Sequence, residues 1–210
     1  MTGKNRTFIQ KQRFFALCGI VAPILFVILV IVESILRPGY SQIFNDVSDL
    51  GIGSYALIQN INFIIFGLLS IGFAIGLGAN LPHRAGKIAK WLVIVFGLCI
   101  ILAGVTLFSV GADVTYAKDV AAHGLVSAIS FLVIIVAQFM TWQALRRSET
   151  VIWGRYRIFS LIMGLMSIFT LLLLSYTQFS SYHGATERLF IAMWMIWIEV
   201  TGLKLYFLIK

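Results

Sequence analysis

The chain has 210 residues, 60% of them hydrophobic and 11% charged, with a mean hydropathy of +0.97 and a net charge of +8. Soluble domains carry roughly a quarter charged residues, so this composition excludes a water-coated globule and makes the lipid bilayer the partner that solvates the fold. The basic residues are dealt out between apolar runs instead of forming one patch, which excludes a nucleic-acid-binding surface.

Crossing a hydrocarbon core ~30 Å thick takes about 20 helical residues at ~1.5 Å each. By that measure six spans are expected, at 14–36, 56–77, 91–110, 123–145, 156–176 and 189–207. The predicted fold class is all-α, a polytopic integral membrane bundle of six transmembrane helices. It is read as a single domain over 1–210, with no stretch left for a soluble domain. The first span is longer than the roughly 7–15 apolar residues of a signal peptide, and no small-x-small cleavage site follows it. It reads as a retained helix.

Glu33 and Arg37 close that span at i,i+4 spacing with the acid first, a favourable helical pair. Pro38-Gly39 then stops the helix. The segment from Arg37 to Gly51, RPGYSQIFNDVSDLG, is a polar island between apolar runs. Ser48 or Asp49 in it offers an N-cap for a short helix or for the approach to the second span. That span ends in GLLSIGFAIGLG, where Gly72 and Gly76 make a G-x-x-x-G step, with Gly67, Ser70, Ala74 and Gly78 nearby. Small residues let membrane helices approach closely, so the second span is expected to be central. Gly97 and Gly104 of the third span, seven apart, share one face. Cys18 and Cys99 fall inside spans without metal-ligand spacing and read as packing residues.

The next two polar connectors are VGADVTYAKDVAAHG, with Asp113, Lys118, Asp119 and His123, and SSYHGATERL, with His183, Glu187 and Arg188. Thirteen of the sixteen basic residues flank the termini and the 2–3 and 4–5 connectors; only Arg37, Lys118 and Arg188 lie on the other side. The positive-inside rule therefore places both termini in the cytoplasm of a multi-pass plasma-membrane protein. Trp91, Trp142 and Trp153 fit the cytoplasmic helix ends, where indoles sit among headgroups.

Six of the eight acids and two of the three histidines collect on the outer side. An outward-facing polar pocket is expected there, roofed by the Arg37–Gly51 island. Its lining would be Glu33, Arg37, Ser48, Asp49, Asp113, His123, His183, Glu187 and Arg188. His123, His183 and Asp113 are of the types that zinc accepts, and such a metal activates water, although no H-E-x-x-H, H-x-x-x-H or cysteine pair is present. Glu199 stands 11 residues past Arg188, about 16 Å down the helix and near the midplane. An acid at that depth faces the bundle interior or a polar cavity. It reads either as a proton or cation relay or as a packing residue bonded to Thr201, Asn60, Asn62 or Gln138.

The order ES…RPGYS…N-x-x-SDLG-x-G over Glu33–Gly53, HG opening the fourth span, and G-x-x-ER at Gly184–Arg188 before a Trp-rich last span resembles an uncharacterised prokaryotic membrane family. It is the one catalogued as domain of unknown function 998. The resemblance covers nearly the whole chain and implies a six-helix integral membrane protein with no assigned activity. The SDLG turn is fainter in its likeness to the six-span family of lysosomal autophagy modulators. The Ser, Asp and His near one face are similar to those of seven-span ceramidase-like metal hydrolases, from which this chain departs in span number and in lacking paired histidines. Three readings stay open: lipid or envelope handling, a metal-dependent hydrolase acting on a lipid-like substrate, and a proton- or cation-coupled transporter using Glu199. An accessory subunit is a fourth, and no protein partner is legible.

Overall fold

The computed structural model describes residues 3–108, 116–146, 153–178 and 180–208. Six helices are long and apolar enough to cross a membrane. They are α1 (Gly3–Leu36), α2 (Ala56–Asn80), α3 (His83–Phe108), α4 (Tyr116–Arg146), α5 (Gly154–Tyr176) and α6 (His183–Leu208), with a 3₁₀ helix at Val47–Gly51 between α1 and α2. No strand occurs among the described residues. Four helices extend past the hydropathy boundaries at their polar ends. The residues before Phe14, Trp91, His123 and Leu189 are charged or polar and fail an apolar window, yet their backbone hydrogen bonds continue the helix. The G-x-x-E-R motif consequently lies in the first turns of α6 instead of in a connector.

Each helix packs on its sequence neighbours and α6 returns to α1, closing a ring, while α6 also touches α2 and α4 across the middle. The interior is aromatic. Phe66 lies 5.2 Å from Phe26 and 5.4 Å from Trp194, and Trp194 lies 5.2 Å from Phe96, so one stack of rings joins α1, α2, α3 and α6. Such offset and edge-on pairs add to the area they bury. The outer faces stay apolar and exposed, as at Leu132, Leu172 and Phe207, in keeping with lipid contact.

Close backbone approach sets the α1–α2–α3 core. Gly72 and Gly76 meet Cys18 and Phe15 of α1, while Gly67 meets the carbonyl of Gly97 on α3. Gly97 and Gly104 both face α2, as their spacing predicts. Pro23 interrupts α1 and withdraws the amide that would bond the Gly19 carbonyl. At one end of the bundle Lys90 stacks on Trp91, Arg146 on Trp142 and Arg13 on Tyr206 at 5.1–5.7 Å, cation–π contacts in which each basic residue carries its charge over a ring.

A Cβ at Gly67 would stand 2.5 Å from the Gly97 carbonyl oxygen, whereas one at Gly124 meets nothing within 4 Å. Gly67→Ala is therefore expected to destabilise by about 1–3 kcal/mol through overpacking. Gly124→Ala should leave the thermal unfolding midpoint of the purified protein unchanged.

Candidate functional site: a docked segment and the groove beside it

After α1 the chain turns at Gly39, whose φ of 74° suits a residue without Cβ. It then runs to the 3₁₀ helix as an irregular segment. Where such a segment is buried against the bundle, its amides and carbonyls must find partners. Some are local. Asp46 stands at the N-cap of the 3₁₀ helix, and the carboxylate of Asp49 reaches back to accept from the Asp46 amide at 3.1 Å. This corrects the expected cap: Asp49 works from the third helical position, and α2 begins at Ala56 behind Tyr55, whose side chain makes no capping bond.

The remaining partners come from the first turns of α6. Ala185 donates its amide to the Ile43 carbonyl at 3.0 Å. Gly184 lies so close to the Asn45 backbone that any Cβ would collide with it. The buried Glu187 accepts from the Val47 amide at 2.6 Å, a hydrogen bond worth about 0.5–1.5 kcal/mol. Arg188 donates to the Asn45 carbonyl at 2.7 Å, to Gly184 at 2.9 Å and to the Tyr40 hydroxyl, and its guanidinium lies 5.6 Å from the centre of the Tyr40 ring. Tyr40 in turn donates to the Asp46 carbonyl at 2.9 Å. Burial pushes the Tyr40 phenol up to about 12, against the pull of Arg188, so it stays protonated. The G-x-x-E-R motif is thus a clasp for the island, each of its letters serving a separate contact.

His183 Nε2 stands 3.4 Å from Asp46 Oδ2, an ion pair whenever the imidazole is protonated. Burial raises the Asp46 carboxyl above its usual value, and His183 partly counters that. With side chains 24% and 29% exposed, the pair is worth at most about 1 kcal/mol.

The expected pocket is brought together only in part. Arg37 and Asp49 line a cleft of about 310 Å³ with Tyr40 and Asn45. The expected Glu33–Arg37 pair is not formed, because Arg37 extends past the helix end to donate to the Asp49 carbonyl. Glu33 is turned inward and fully buried instead. Ser48, His123 and Glu187 line a separate internal cavity of about 30 Å³, room for one water. His123 spends Nδ1 on the Ala103 carbonyl at 3.2 Å, tying α4 to α3. Among the described residues no three His, Cys, Asp or Glu side chains form a ligand group, and Asp113 of the expected zinc set lies outside those residues.

Glu199 has none of its expected partners. Thr201 bonds Tyr156, Asn60 bonds Gly51, and Asn62 bonds Phe26 and Gln59, while both side-chain polar atoms of Gln138 lack a partner. Helical spacing puts Glu199 on the stripe of Arg188, Ala192 and Met195, which faces α1 instead of the bundle centre. That stripe and Pro23, Val27 and Ile31 of α1 wall a groove of about 530 Å³, with Arg188 and Gln42 at its mouth and Glu199 at its deep end. Sequence reasoning missed Tyr40, Gln42 and Asn45, since pairings such as Tyr40 with Arg188 span 148 positions and leave no local signal.

Tyr40→Phe removes both bonds of the bridging hydroxyl while keeping the ring. Amide hydrogen exchange in residues 43–50 should accelerate by the equivalent of about 1–3 kcal/mol, with exchange in α3 unchanged.

No curated protein and no solved structure matches the chain significantly. The family described as "Protein of unknown function (DUF998)" matches residues 20–204, the span that holds the clasped segment, the α6 motif and all but the two ends of the helical ring. The chain belongs to that family.

Proposed function

We propose that the protein is a lipid-handling component of the plasma membrane, a single six-helix domain over 1–210 with both termini cytoplasmic. It holds the acyl part of an amphiphile from the outer leaflet in the α1–α6 groove. One observation carries this reading: a groove of about 530 Å³ with apolar walls is polar only at its two ends. Eleven residues of α6 separate Arg188 from Glu199, or about 16 Å. One leaflet of hydrocarbon is ~15 Å deep, so the groove matches a single leaflet. Its volume lies within the roughly 300–1,000 Å³ of small-molecule sites.

In this reading the chemistry is divided by depth. Arg188 and Gln42 face the headgroup level, Ile191, Ala192 and Met195 face the chain, and Glu199 ends the groove as a stop. The clasped Arg37–Gly51 segment holds the mouth in shape. The charge distribution supports the orientation, because thirteen basic residues flank the end that carries the termini.

Filling the groove tests the reading. Ala192→Trp should lower lipid retained by the protein in nanodiscs, read by native mass spectrometry. Leu172→Trp, on an exposed face of α5 at 65% accessibility, should retain as much lipid as the wild type. Equal retention in both variants would remove the groove as a lipid site. Orientation is tested separately: a thiol introduced as Ser41→Cys should react with an impermeant reagent on intact cells, and one introduced as Ser148→Cys only after lysis.

A further inference from the structure

Between Tyr40 and Asp46 the chain reverses the polarity of a water-facing turn. Tyr40 donates its hydroxyl to the Asp46 carbonyl at 2.9 Å, Gln42 its amide to Ser34 Oγ at 2.9 Å, and Asn45 its amide to Asp49 Oδ2 at 3.3 Å. These polar side chains are spent on the protein, while Ile43 and Phe44 are left 48% and 58% exposed. A turn in water gains by the opposite arrangement, because apolar surface left in water is unfavourable and polar groups are solvated there.

The exposed pair stands at the tip of a closed turn. The Asn45 amide donates to the Ser41 carbonyl at 2.8 Å, the Ser41 amide to Asn45 Oδ1 at 3.0 Å and the Ile43 amide to Ser41 Oγ at 3.3 Å. Non-helical backbone in an apolar layer needs internal partners of this kind. Two further ties fix where the turn sits. Gln42 holds it to Ser34 in the last turn of α1, and the Ala185 amide, in the first turn of α6, holds the Ile43 carbonyl. The turn therefore lies beside the ends of the two helices instead of projecting beyond them. Those ends are themselves apolar outside, with Ile35 of α1 76% exposed and Leu189 of α6 42% exposed. The pair is thus continuous with helix faces that meet lipid.

We propose that the Ser41–Asn45 turn is an interfacial membrane anchor, its Ile43 and Phe44 side chains seated in the leaflet at the loop end of the bundle. Apolar and aromatic side chains hold segments at that boundary. Gln42 lines the mouth of the α1–α6 groove, so the anchor sets the level of that mouth. It does not rest on the groove holding lipid.

The test attaches a nitroxide to the full chain in phosphatidylcholine nanodiscs through Phe44→Cys. Leu172→Cys on the exposed face of α5 and Lys87→Cys in the first turns of α3 serve as references. Cys18 and Cys99 are buried, and label taken up by the wild type sets the background. Oxygen concentrates in hydrocarbon and a hydrophilic nickel chelate stays in water, so the ratio of their collision rates with the label reads its medium. The ratio at Phe44→Cys should lie several-fold above that at Lys87→Cys, toward that at Leu172→Cys. Should Phe44→Cys fail to fold, Ile43→Cys decides by the same comparison. A ratio matching Lys87→Cys would put the turn in water and overturn the proposal. A label shielded from both reagents would do the same, since a second copy or another protein would then cover the turn.

Discussion

Backbone polar groups buried against protein cannot be left to water, and this constraint organises the loop end of the molecule. The chain leaves helical geometry after Leu36 and does not resume an α-helix until Ala56. Between those points every amide and carbonyl drawn inward must be answered by the protein itself. The answer is concentrated in α6. Ala185 pairs with Ile43, Arg188 with Asn45 and Glu187 with Val47, three contacts from adjacent turns of one helix. Replacing Glu187 leaves the buried Val47 amide without its partner, which costs more than the bond itself contributes.

The same helix then shapes everything below. Its inward face carries Phe190, Trp194, Trp197 and Ile198, all buried. Gly202 brings its backbone against Ala16, Gly19 and Ile20 of α1, so the two helices meet closely at one end. Nearer the loop end they part around the groove, where Ala192 supplies little bulk and Pro23 interrupts α1. A close crossing at one level and an opening at another follow from side-chain size along a single stripe.

Polar side chains also hold helices together where the aromatic stack does not reach. Tyr156 of α5 bonds Thr201 of α6, which bonds the Trp197 carbonyl. The Trp197 indole donates to Ser160 at 2.9 Å, and Ser160 donates to the Gln138 carbonyl of α4 at 2.9 Å. Hydrophobic burial gives little preference between lipid and protein neighbours for an apolar helix, so packing and interhelical hydrogen bonds fix which faces meet. These buried groups serve cohesion, and α5 depends on them most, being largely apolar on its outer face.

What the sequence determined by itself was the medium, the span count and the helix-packing glycines. Each of these is written in local composition: apolar run length sets a span, and small residues at helical spacing set a close approach. The motif blocks around RPGYS, SDLG and G-x-x-ER were also visible, and they marked residues that matter. Only the tertiary structure decided what those residues do. Glu187 and Arg188 turned out to clasp a segment some 140 positions away, Glu33 to face inward away from Arg37, His123 and His183 to serve different neighbours, and Glu199 to end a groove. The reason is rotational: hydropathy places a residue along a membrane helix, but which way its side chain points depends on the neighbours that pack around the helix, and in a bundle those neighbours are distant in the chain.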